Sequence, residues 1–150
     1  MRLRPYRAAD EDALIALWQR TWQYAYPSID FGERVKTWRE RWRTELVPSV
    51  RITVAESEAG PIGFVTLDSS GYLDQLVVAP EVWGSGTANE LVDEAKRQSS
   101  GAITLLVNAD NARAIRFYER HGFRHTHDDV NPASGRAVHG MKWERPKAAR

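Results

Sequence analysis

A chain of 150 residues, 42% of them hydrophobic, is sized for one domain spanning residues 1–150 with a core of its own. A net charge of +1 carries no signature of nucleic-acid or membrane-surface binding. The absence of cysteine excludes a disulfide framework, a thiolate metal site and a thiol nucleophile, and suits a reducing, cytoplasmic setting.

Met1-Arg2-Leu3-Arg4 leads into no apolar stretch, and no apolar run approaches the ~18 residues of a membrane span. Neither a signal peptide nor a spanning helix is expected. Arg2 to Tyr6 alternates weakly and predicts a short edge strand, where Pro5 is tolerated. Asp10, Glu11 and Asp12 put negative charge at a helix start. Leu14, Leu17, Trp18, Thr21, Trp22 and Ala25 recur at helical spacing, which predicts an amphipathic helix over 10–25. Tyr26-Pro27 ends it, because the residue before proline avoids the helical region. A second helix is predicted from about Glu33 to Leu46, with Val35, Trp38 and Trp42 as its apolar stripe. Arg34, Lys36, Arg39, Arg41 and Arg43 occupy its other faces.

Arg51 to Glu56 and Ile62 to Leu67 predict a hairpin about the Ala59-Gly60-Pro61 turn. Asp68 to Gly71 is a further turn, and Tyr72 to Val78 is a buried strand completing an antiparallel meander. Ala79-Pro80-Glu81 breaks it, and a helix follows from about Thr87 to Gln98 with Leu91, Val92 and Ala95 on one face. Ala102 to Val107 is another buried strand. A strand–helix–strand unit of this length predicts that Tyr72–Val78 and Ala102–Val107 lie parallel. Asn111 is placed to cap a helix carrying Ala114, Phe117, Tyr118 and His121, and Gly122 sits where such a helix ends left-handed. Strands over Phe123–His127 and Val138–Trp143 flank the Asn131–Gly135 turn, and Pro146 to Arg150 reads as a frayed tail.

The organising stretch is Tyr72 to Ala88. Its loop of small residues, Gly84, Ser85, Gly86, Thr87 and Ala88, opens a helix directly. Unpaired backbone N–H groups and the positive end of the helix dipole make such a loop a phosphate site. No Gly-Lys-Ser/Thr closes it, so it is not a P-loop. Asn89 stands where a dinucleotide fingerprint has its third small residue, and the loop lies in the middle of the chain. An ordinary nucleotide-binding protein is therefore a poor fit.

Two motifs occur together: Trp83-x-x-Gly86-x-Ala88, and Asn111-x-x-Ala114-x-x-Phe117-Tyr118-x-x-x-Gly122-Phe123. In order and at this spacing they resemble the GCN5-related N-acetyltransferase family over nearly the whole chain. The second motif is complete. The first departs at Trp83, where the family usually has Gln or Arg; this weakens one pyrophosphate contact and leaves the backbone cradle in place.

The resemblance implies an α/β (α+β) fold: a mixed, mostly antiparallel sheet of about seven strands with helices on both faces. It implies transfer of an acetyl group from acetyl-CoA to a primary amine of a small-molecule or protein N-terminal acceptor, by direct attack in a ternary complex. Backbone at Leu76, Val77 and Val78 would meet pantetheine and the thioester carbonyl, acting as fixed donors to an oxyanion. Trp83 and Gly84 to Ala88 would meet the pyrophosphate, and Asn111 the pantetheine. Asn111 reads equally well as a pure helix cap, and Asn108 as strand-end turn chemistry. Tyr118 matches the family tyrosine that protonates the departing sulfur. Asp74, the one carboxylate on its strand, is the candidate base.

The tryptophan stripe reads either as a helix packed on a sheet or as an aromatic wall for the acceptor, and the arginines as a solvated face or as attraction for an acidic acceptor. By alternation, His125 and His127 share a strand face, but no third ligand stands beside them in sequence, so no metal is expected. His121 reads as helix packing or a cation at a helix C-terminus, and His139 as a groove-lining residue. The family pattern leaves room for a homodimer built on the last strand. The rival function is a non-catalytic acyl-CoA-binding module that keeps the cradle without turnover.

Overall fold

Seven strands and four α-helices form among residues 1–147, the residues described in the computed structural model. They are β1 (Arg2–Pro5), α1 (Glu11–Ala25), α2 (Phe31–Arg41), β2 (Val50–Ser57), β3 (Gly60–Asp68), β4 (Leu76–Val78), α3 (Thr87–Gln98), β5 (Ala102–Asn108), α4 (Ala112–Arg120), β6 (Arg124–Val130) and β7 (Ala137–Glu144). The end of the predicted tail, Ala148 to Arg150, lies outside the described residues.

Asp10, at the start of α1, is buried and accepts both prongs of the Arg4 guanidinium at 2.8 Å and the Arg7 N–H at 2.8 Å. The Arg4 contact holds its carboxyl below the usual carboxylate range, so β1 and α1 are joined by a charged fork. The second helix begins earlier than predicted because Asp30 caps it, its side chain accepting from the Glu33 N–H. It ends in one π-turn, Trp42–Leu46. Two of its arginines are more than a solvated face: Arg39 and Arg43 both pair with Glu11 of α1.

Alternation along β2 and β3 divides the core. Ile52, Val54 and Phe64 face α1 and α2, where they meet Leu14, Trp38 and Trp42. Ala55, Val65 and Leu67 face the other way, toward α3 and toward β5, β7 and the Tyr118–Phe123 region. Helices therefore cover both faces, as expected.

The expected single sheet is instead two: a four-stranded sheet in the order β1-β2-β3-β4, and a three-stranded sheet in the order β5-β7-β6. The strand predicted over Tyr72–Val78 survives only as Leu76–Val78. Tyr72 makes a single parallel bridge to Thr104, with the Leu73 N–H donating to the Thr104 carbonyl at 2.9 Å and the Thr104 N–H to the Gly71 carbonyl at 2.9 Å. The Gln75 N–H then turns to the Thr66 hydroxyl, at 2.9 Å. From there β4 follows β3 and diverges from β5. Gly71 makes the junction possible: its φ is +91°, and a Cβ there would stand 2.4 Å from the Ala102 carbonyl oxygen.

Two further expectations are corrected at the C-terminal strands. β7 lies between β5 and β6, so it has no free edge on which to build a dimer; the outer strand is β6. That strand is exposed throughout and carries Arg124, His125, His127, Asp128 and Asp129, a charged edge of the kind that resists further pairing. A bulge between His125 and His127 also breaks the alternation, with His125 opposite Met141 and His127 opposite Gly140. The two histidines therefore lie on opposite faces. Among the described residues, no helix is long and apolar enough to cross a membrane.

Candidate active site

The divergence of β4 from β5 leaves two strand edges facing each other. The Thr66 N–H donates to the Gln75 carbonyl and the Ala79 N–H to the Ile62 carbonyl, so Gln75, Val77 and Ala79 direct their backbone groups to β3. Leu76 and Val78 direct theirs the other way, toward β5. Across the gap, the Thr104 backbone bonds to Gly71 and Leu73, and by the same alternation Leu106 presents its N–H and carbonyl to the opening. Leu76, Leu106, Asn108 and Tyr118 border a groove of roughly 640 Å³.

At one end of this gap stands the small-residue loop. Gly84 and Gly86 adopt φ of +83° and +95°, and a Cβ on either would meet nothing within 4 Å. The space over the loop is open. Gly86 is the N-cap of α3 and supplies no side chain to cap it. The N–H groups of Gly86, Thr87, Ala88 and Asn89 have no partner among the described residues, which is the donor array that binds a phosphate. The Ser85 and Thr87 hydroxyls are 3.0 Å apart beside it.

Trp83 points back toward the strand. Its indole N–H donates to the Val78 carbonyl at 2.8 Å, and Tyr24 packs edge-on to its ring. The Arg113 guanidinium lies 3.8 Å from the centre of the Trp83 ring and has no carboxylate partner among the described residues. A cation thus stands next to the position where the resemblance has Gln or Arg, but it is carried by α4. Nothing in the local sequence around Trp83 points to it.

Tyr118 is buried, its ring edge-on to Phe117 and Phe123, and burial pushes its phenol well above the usual tyrosine value. Asn111 caps α4, accepting from the Ala114 N–H at 3.1 Å, and also borders the groove. Asn108 does more than turn chemistry: its amide donates to the Tyr26 hydroxyl at 3.0 Å. Tyr26 in turn donates to Asp110 at 3.0 Å, Asp110 pairs with Arg136 at 2.6 Å, and Arg136 lies over the Tyr26 ring. This network ties the segment after α1 to the end of β5 and to the β6–β7 turn, across the far end of the groove.

Asp74 borders the groove, but both its oxygens are engaged. Arg41 donates to them at 2.9 and 2.8 Å, and the Gln75 amide adds a bond at 3.1 Å. Arg41 also sits over the Trp38 ring. The tryptophan stripe divides between core and groove. Trp42 is fully buried against Tyr6 and Phe64, whereas Trp38 stacks on Trp18 and borders the groove. His139 is not on the groove wall; β7 contributes Val138 there, and the turn before it Arg136. His121 packs on Phe117, bonds to Asn89 at 2.8 Å and is pushed toward its neutral form by burial, so packing describes it.

The acetyltransferase (GNAT) domain family matches residues 23–145. The chain is 28% identical over 127 residues to the peptidyl-lysine N-acetyltransferase YjaB of Salmonella typhimurium, covering 84% of this chain and 85% of that protein. Its fold superposes on the solution structure of apo-form YjaB from Escherichia coli with a TM-score of 0.77 at 25% identity, covering 97% of this chain and 98% of that one. The PaiA N-acetyltransferase of Thermoplasma acidophilum, solved in complex with coenzyme A, shares the fold with a TM-score of 0.71 at 19% identity, covering 96% and 99%.

Proposed function

Since this chain belongs to the GNAT acetyltransferases and is an acetyl-CoA-dependent N-acetyltransferase, we propose that it acetylates the side-chain amine of peptidyl lysine by direct attack in a ternary complex. The observation that carries the mechanism is the gap itself: the unpaired Leu76 backbone and Val78 N–H facing Leu106, leading to the open glycine loop. An extended amide-bearing chain ending in a pyrophosphate complements these two features together. A cytoplasmic setting and a freely diffusing protein or peptide acceptor go with this reading.

In this mechanism the loop N–H groups of Gly86 to Asn89 hold the pyrophosphate, and Arg113 supplies the positive charge absent at position 83. Leu76 and Val78 N–H groups fix the donor amide and stabilise the negative charge that develops on the thioester oxygen. As the amine nitrogen bonds to the carbonyl carbon and the carbon–sulfur bond breaks, Tyr118 delivers a proton to the sulfur. Because burial keeps this phenol protonated, it holds that proton throughout the neutral range. The lysine reading rests on the YjaB relatives and on the aromatic groove wall of Trp38, Tyr72 and Tyr26, against which a four-carbon stem packs well. Small amines and protein N-termini are the competing acceptors.

The acceptor is tested by following thiol release with lysine peptides, their N-terminally blocked and lysine-free counterparts, and small polyamines. Turnover confined to lysine-bearing peptides is expected. Turnover that persists after lysine is removed but stops on N-terminal blocking moves the assignment to α-amines.

Asp74 is the proposed base, acting through a water while Arg41 holds its carboxylate in place. Asp74→Asn is then expected to lower kcat by about 10²-fold. Arg41→Gln should mainly raise the acceptor KM. Equal effects of both substitutions on kcat and KM would reduce Asp74 to a structural partner of Arg41. For the donor side, Arg113→Ala should weaken acetyl-CoA binding about tenfold by calorimetry, the size of one charge-assisted contact, with kcat unchanged. Unaltered affinity would remove Arg113 from the phosphate site.

A further inference from the structure

Away from the groove, β6 and β7 bring together three side chains that no step of the reaction uses. His125 Nε2 and His139 Nδ1 each lie 2.8 Å from the same oxygen of Asp128, Oδ1. The two imidazole rings are edge-to-face with centroids 4.7 Å apart. The ligand atoms of all three residues fall within 4.8 Å of one another.

The bulge creates this grouping. In a regular strand Asp128 would point away from His125, three residues earlier. Thr126 is the extra residue, unpaired between the His125–Met141 and His127–Gly140 pairs. It shifts the alternation by one, so Asp128 lands opposite His139 and on the face of His125. The bulge is itself built in: the His127 ring lies over Gly140, where a Cβ would stand 2.2 Å from it, and the His127 Nδ1 is 2.9 Å from the Thr126 hydroxyl. The fold thus uses a side-chain-free position on β7 to seat the histidine that is not in the cluster.

We propose that His125, Asp128 and His139 form a divalent transition-metal site of zinc type, with water completing the coordination. Two imidazoles and one carboxylate suit zinc, whereas magnesium and calcium take oxygen ligands. A tetrahedral zinc site holds such ligand atoms ~3.3 Å apart. The two His–Asp128 separations therefore need to open by about half an ångström, and side chains exposed to solvent give the ion direct access. Bound there, the metal ties β6 to β7 two residue pairs below the turn: only Asp129–Val138 and Val130–Ala137 intervene. The same turn borders the groove through Asn131 to Ser134 and Arg136. Metal binding would hold the acceptor side of the groove in register without entering it.

The test is titration of the untagged, chelator-treated chain with zinc against a chromophoric competitor, repeated with cobalt to read ligand-field absorption. One saturable site per chain is expected, with a cobalt spectrum of low-symmetry nitrogen and oxygen coordination. His139→Ala should weaken zinc by at least about tenfold. His127→Ala, on the opposite face, should leave affinity unchanged. Asp128→Asn, which preserves shape, gives the same loss if His139→Ala fails to fold. The absence of a saturable site, or affinity retained in Asp128→Asn and His139→Ala, overturns the proposal, as does loss on His127→Ala alone.

Discussion

Gly86→Glu is expected to abolish measurable acetyl-CoA binding in a calorimetric titration, a loss of ~100-fold or more. Two effects combine. At φ +95° any L side chain is strained, and in the left-handed region that strain is ~1–2 kcal/mol. The larger effect is electrostatic and steric. Nothing occupies the 4 Å around a Cβ at this position, so the glutamate extends into the space where the proposal puts the pyrophosphate. It brings a like charge to a site built from N–H donors, and its own carboxylate can take those donors. Gly86→Ala separates the two effects, since it carries the strain without the charge and should bind only several-fold more weakly. A glutamate variant that is folded and binds normally would take the pyrophosphate away from this loop.

Tyr118→Phe is expected to reduce kcat by about 10²-fold while acetyl-CoA affinity stays within a factor of two of wild type. The hydroxyl is lost but the ring contacts with Phe117 and Phe123 remain, so packing is conserved. The pH dependence adds a sign. Burial raises the phenol above its ordinary value. The protonated acid therefore persists at every pH at which the enzyme is assayed, and a loss of rate on the alkaline side below about pH 10 has another origin. A Tyr118→Phe enzyme with wild-type kcat, or an alkaline limb near neutrality that the substitution removes, would end the acid role.

How much of this was legible in the chain follows from the range of the interactions. Local signals carried well. Asn111 does cap α4, the Gly122 stop stands at φ +85°, and the helix after Gly86 begins at Thr87. The strand runs Arg51–Glu56 and Ile62–Leu67 about the Ala59-Gly60-Pro61 turn do form the predicted hairpin. What failed was pairing between distant segments. Composition made Tyr72–Val78 look like one unbroken strand parallel to Ala102–Val107. Its departure depends on Thr66 capturing the Gln75 N–H and on Gly71 lying against Ala102, neither of which is visible as a local pattern. The fork between Arg41 and Asp74 and the placement of Arg113 over Trp83 are likewise tertiary facts. The His125–His127 expectation failed for a sharper reason: period-two alternation holds only in a regular strand, and one extra residue at Thr126 inverts it.

The junction at Gly71 and Thr104 has a consequence for how the molecule opens. The four-stranded and three-stranded sheets share one bridge, so each half carries most of its hydrogen bonds internally. Halves joined in this way are the raw material of separate cooperative units in native-state hydrogen exchange. A donor lying between β4 and β5 would act as the missing rung of a ladder. The amides of Leu76, Val78 and Leu106 would change from fast to slow exchangers together. At a donor concentration of 100 times Kd, the whole domain would gain about 2.7 kcal/mol. In the free protein the two sheets are neighbours; with donor bound they would fold and unfold as one.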